Sequence, residues 1–169
     1  MSALQSLAKK KTDAELQRQL AALPRSIEAI CREHAAKGLF NSSATLKRVL
    51  ATCKEVTEKQ RDATIKEYQW AVNQALLASQ TWVEHLVVDA SESIDALHRD
   101  SEKHIKSICE RIGKPELVAR LLSDLDSTEV AAKNDIALAL RSSFAERSRG
   151  LIRGVACFIP RLISKFIKG

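Results

Sequence analysis

Apolar residues recur along this chain in steps of three and four, over long stretches that nothing interrupts. One set runs Leu46, Val49, Leu50, Cys53 and Val56. After a polar stretch from Thr57 to Asp62, a second set runs Tyr68, Val72, Ala75, Ser79, Trp82, Leu86 and Ala90, and a third Ile94, Leu97, Ile105, Ile108 and Ile112. This spacing lays each set along one face of an α-helix, where a half-buried strand would alternate. From Leu39 to Ile112 the 74 residues contain neither glycine nor proline. The pattern predicts an all-α protein: a long helix, or an antiparallel helical hairpin or bundle, ending in a C-terminal basic amphipathic helix. As one rod the long element would measure about 100 Å at the helical rise per residue. The sequence therefore favours an extended hairpin or coiled-coil-like arrangement, with bends near 57–62 or 89–93 if the chain turns back.

The few breakers suggest the remaining boundaries. Pro24 predicts a stop between a helix at 13–23 and another at 25–37, with Gly38 as the residue after the second. Asn41, Ser42 and Ser43 offer N-cap oxygens for the long element. Gly113 and Pro115 close it, and Leu117, Val118, Leu121, Leu122 and Leu125 mark a short helix over 115–125. Asp126-Ser127-Thr128-Glu129 reads as a capping box for a helix over 129–148, with Val130, Ile136, Ala137, Leu140 and Phe144 as its apolar line. The expected organisation is thus short helices in 1–42, a helical body in 43–149 and a separate amphipathic helix in 150–169.

Charge changes this picture at one place. The chain carries 27 Lys and Arg against 21 Asp and Glu. Residues 1–140 hold 20 of each sign, so the net charge of +6 resides entirely in the last 29 residues, which carry seven bases and one acid (Glu146). At 100° per residue, Leu151, Ile152, Val155, Phe158, Ile159, Leu162, Ile163, Phe166 and Ile167 fall within an arc of about 180°. Arg153, Arg161, Lys165 and Lys168 lie opposite. These thirteen residues form the candidate membrane-binding set. Apolar groups would sink below lipid headgroups while the bases meet phosphates, each base contributing on the order of 1 kcal/mol near an anionic leaflet. Three bases within 151–167 forbid a span, since each costs about 2.5–3.5 kcal/mol at a bilayer centre. Pro160 should kink the segment.

The rest of the chemistry is sparse. Cys31, Cys53, Cys109 and Cys157 form no metal-ligand or disulfide pattern, which favours a reducing, cytoplasmic setting. Lys9-Lys10-Lys11 precedes Thr12-Asp13-Ala14-Glu15, so no secretory leader is expected. No nucleophile elbow or glycine-rich phosphate loop is present, and catalysis is not expected. Residues 84–102 hold six acids against one base, Arg99. They could dock a protein or the basic tail. Within that stretch Asp95, His98 and Glu102 share a helix face, but the chain has no Glu-x-x-His, so no metal and no cofactor are expected. The expected function is a non-enzymatic helical interaction protein, held reversibly on an anionic membrane surface by its tail, with a protein partner or self-association through the long helix. The competing reading is a helical adaptor or oligomer whose tail packs in a protein interface. Weaker ones are a membrane-perturbing toxin or lysis factor and a nucleic-acid-binding accessory protein.

Overall fold

The computed structural model describes residues 2–75 and 77–149, with the backbone alone for 150–166. Its architecture is an up-and-down bundle of four helices: α1 (Ala3–Ala36), α2 (Ser43–Gln74), α3 (Gln80–Ile112) and α4 (Val118–Phe166). A 3₁₀ turn at Pro115–Leu117 leads into α4. Short connections make consecutive helices antiparallel neighbours. Helices α2 and α3 form the central pair; α1 and α4 flank it and do not meet each other among the described residues.

Cross-helix pairs give the register. Lys9 with Glu92 and Glu28 with Arg111 are both 83 residues apart, so α1 and α3 run parallel. Arg61 with Asp135, Gln69 with Ser143 and Asn73 with Arg147 are all 74 apart, so α2 and α4 do too.

Several expected boundaries are corrected. Helix α1 is continuous and starts at Ala3, carrying Pro24 in its interior on an exposed face. Leu23 and Ile27, buried on either side of the proline, hold the helix together where its hydrogen bond is missing. The long element does fold back, but at 75–79, not at 57–62 or 89–93. Ala75 takes extended backbone, and Ser79 caps α3 by accepting the Trp82 N–H at 3.2 Å. The supposed capping box at 126–129 lies inside α4. There Ser127 and Thr128 donate back to the carbonyls of Ser123 and Asp124, which satisfies the hydroxyls without ending the helix. The backbone of α4 runs on past Gly150. Gly38 and Gly113, by contrast, take the expected left-handed backbone (φ +68° and +73°) at the ends of α1 and α3.

The core has two apolar clusters with a polar layer between. One joins Leu23, Ile27, Val49, Cys53, Leu97, Ile105 and Leu125. The other joins Ala8, Tyr68, Val72, Leu86, Ile94, Ile136 and Leu140. Between them sit the buried side chains of Thr12, Gln60, Thr64 and Ser93. Gln60 Nε2 donates to the Thr12 carbonyl at 3.3 Å, and the Thr64 and Ser93 hydroxyls are 3.3 Å apart. Of the polar stretch seen in the sequence, Thr57 and Gln60 are thus buried while Glu58, Lys59 and Asp62 face out, and α2 runs through it without a hinge.

Candidate functional site

Three places carry chemistry: the tail, the end of the bundle it leaves from, and the α3–α4 seam. The thirteen tail residues from Leu151 to Lys168 lie outside the residues whose side chains are described; the backbone of α4 is helical through Phe166.

At the end of the bundle, two of the seven C-terminal bases are committed to the body. Arg141 forms a two-pronged pair with Glu84 at 2.9 and 2.7 Å. That hydrogen bond holds the Glu84 carboxyl below its ordinary range. Arg147 donates to the carbonyls of Val72 (3.2 Å) and Asn73. These belong to the last turn of α2, which has no base of its own. A cation at the orphan carbonyls of a helix C-terminus both satisfies them and offsets the negative end of the dipole. The loop between α2 and α3 at this end exposes Leu77 almost fully (97%). Trp70 and Trp82 flank the loop and are half-buried. Lys11 Nζ lies 5.0 Å from the Trp70 ring centre. Trp82, expected in the core, sits one position off the stripe, and Val83 takes the buried place.

The acidic stretch is largely used up within the fold. Glu92 pairs with Lys9 and Glu102 with Lys106, both at 2.6 Å; Asp100 lies 3.4 Å from His104. Asp89 accepts from Gln5 at 2.5 Å, and Asp95 pairs with Lys133. Docking of the tail on this stretch therefore gains no support.

His98 stands apart. The expected helix-face set of Asp95, His98 and Glu102 is not what the fold assembles. Asp95 turns to Lys133 and Glu102 to Lys106, while His98 faces α4. Its Nε2 lies 3.2 Å from Asp126 Oδ1 and its Nδ1 3.4 Å from Glu129 Oε2. The imidazole is mostly buried (14% exposed), as is Glu129 (17%), whereas Asp126 is open (60%). Lys133 holds the other Glu129 oxygen at 2.6 Å. Sequence reading missed Asp126 and Glu129 as partners of His98 because the capping-box reading had already claimed them. Two acids at a three-residue spacing inside one continuous α4 would have been the signal.

Among the described residues, no helix is long and apolar enough to cross a membrane. Comparison with protein-family models, curated proteins and solved structures gives no match.

Proposed function

We propose that this chain is a non-enzymatic helical interaction protein that attaches reversibly to an anionic membrane surface through its C-terminal segment. The observation that carries the reading is the separation of charge between a balanced body and a basic, apolar tail. Register adds to it. The constant offset sets Ser148 beside Gln74, where α2 ends, so α2 has nothing to set beside the segment from Leu151 onward. Arg141 and Arg147 are engaged by the body, which leaves Arg149, Arg153, Arg161, Lys165 and Lys168 as the lipid-facing bases of the proposal.

A second reading has its own observation. Val88 and Leu138 are both more than half exposed (63% and 67%), and the antiparallel pairing of α3 with α4 brings them level. An apolar pair on the outer face suits a protein partner or a second copy of the chain.

The test is co-sedimentation of the full chain with vesicles of phosphatidylcholine alone and with added phosphatidylglycerol. The wild type should bind only the anionic vesicles. F158E/L162E, which takes two large apolar groups from the arc and adds acid, and R161E/K165E, which reverses two bases, should each weaken binding at least about tenfold, about 1.4 kcal/mol. A wild type that ignores both vesicles removes the membrane reading. If it then self-associates and V88S/L138S dissociates it, the interface reading stands.

A further inference from the structure

We propose that His98, Asp126 and Glu129 form a binding site for one divalent transition-metal ion, which would clamp α3 to α4. One atom from each of the three side chains lies within 4.8 Å of the others, and they come from two helices. The ring nitrogens stand 3.2 and 3.4 Å from carboxylate oxygens. Nδ1 is closed off from solvent and has no hydrogen-bond partner among the described residues, Glu129 included. A single imidazole gives an ion one nitrogen, so the donors on offer are one ring nitrogen, one Asp126 oxygen and one Glu129 oxygen, mutually within 4.8 Å, a spacing that small side-chain rotations would draw onto one cation.

Electrostatics point the same way. Asp95 reaches across the seam to Lys133, which also pairs with Glu129 on its own helix; with a neutral imidazole the three acids Asp95, Asp126 and Glu129 exceed that one paired base by two charges, which a divalent ion would balance. Lys133 also fixes Glu129 from behind, as supporting hydrogen bonds do for metal-bound carboxylates. Glu129 and His98 are set in the bundle wall, while exposed Asp126 leaves a path for the ion and for water to complete its shell. A nitrogen donor beside two carboxylates suits zinc, manganese or cobalt better than magnesium or calcium, which prefer oxygen alone.

The experiment is calorimetric titration of the full chain, freed of metal with chelator, using ZnCl₂, CoCl₂ and MgCl₂. One zinc or cobalt ion per chain should bind saturably, and cobalt should show the visible absorption of nitrogen ligation. H98Q should abolish binding. D126N, a change at an exposed position that leaves the bundle intact, should weaken it at least tenfold; H104Q should leave it unchanged. Saturating zinc should raise the thermal midpoint of the wild type, and that of D126N by less at equal zinc, and leave that of H98Q unmoved. No saturable binding, or binding that survives both H98Q and D126N, would overturn the site.

Discussion

At the residue scale the fold uses burial to silence groups that would otherwise react. The Cys53 thiol is wholly enclosed, and burial pushes it up to about 11; Cys31 and Cys109 are raised by burial as well. At pH 8 such a shift cuts the Cys53 thiolate, the reactive form, roughly a hundredfold. Iodoacetamide at pH 8, read by peptide mass mapping, should therefore leave Cys31, Cys53 and Cys109 of the native protein unmodified while labelling all three in urea. Rapid native labelling of Cys53 would show that this wall of the bundle opens readily. The sign of the linkage follows from the raised value. The folded state holds the Cys53 proton more tightly than the unfolded chain, so this contribution is complete below about pH 9. It is lost as pH climbs through about 11. Tyr68, also raised by burial, adds to that alkaline loss. The urea midpoint should accordingly be level from pH 7 to 9 and fall beyond. Of these cysteines, Cys53 could be read from the sequence as a member of an apolar stripe. The His98 partners could not, because a contact between α3 and α4 depends on where α4 begins, and local capping signals misplaced that start.

At the scale of elements, apolar periodicity was the reliable signal and local breakers were the weak one. Leu46, Val49, Leu50, Cys53 and Val56 are all buried as expected, and so are Ile94, Leu97, Ile105, Ile108 and Ile112. The stripe from Tyr68 to Ala90 carried a false continuity. Its steps of three and four pass through Ala75 and Ser79, yet the chain turns there, between two helices whose core faces happen to stay in phase. Packing decided the turn: folding at 75–79 gives α2 and α3 nearly equal lengths and closes both apolar clusters. Pro24 shows the opposite error, a breaker overruled by its surroundings. Its ring leaves the Leu20 carbonyl without the usual helical donor, at a cost of about 3 kcal/mol in a helix interior. Because Pro24 is exposed, P24A restores that donor without opening a cavity. The alanine also frees the unfolded chain, which takes back about 0.4–1 kcal/mol. The net expectation is a gain of about 2 kcal/mol or slightly more in urea-induced unfolding, with an unchanged slope. A loss of stability would mean that α1 needs the ring for packing or for a bend.

Across the whole molecule, helix neighbours set the order in which parts come loose. Helix α4 packs on both central helices, and Arg61, Arg141 and Arg147 tie it to them. Helix α1 packs on the same pair from the other side, but unevenly. Its C-terminal half buries Leu23, Ile27, Ile30 and Cys31, whereas in its N-terminal half Leu16 is the one large aliphatic side chain buried, with Gln5, Ala8 and Thr12. That half is held besides by Leu4, which packs on the cluster around Tyr68, by the Gln5–Asp89 hydrogen bond, and by the surface pairs Lys9 with Glu92 and Lys11 with Glu67, each pair worth about 0–1 kcal/mol. Burying a large aliphatic side chain contributes about 1.5–3 kcal/mol, so the two halves differ by two such groups. Local opening free energies follow buried apolar contacts. Native-state hydrogen exchange should therefore find amides 6–13 exchanging at least about tenfold faster than amides 20–31, although both belong to one unbroken helix. The boundary should fall near the polar layer, where Gln60 takes the Thr12 carbonyl. Raising the salt concentration should widen the difference, because it screens the lysine pairs and leaves the aliphatic contacts in place. Uniform protection along α1 would mean that the helix detaches as one unit, with the polar layer transmitting stability instead of dividing it.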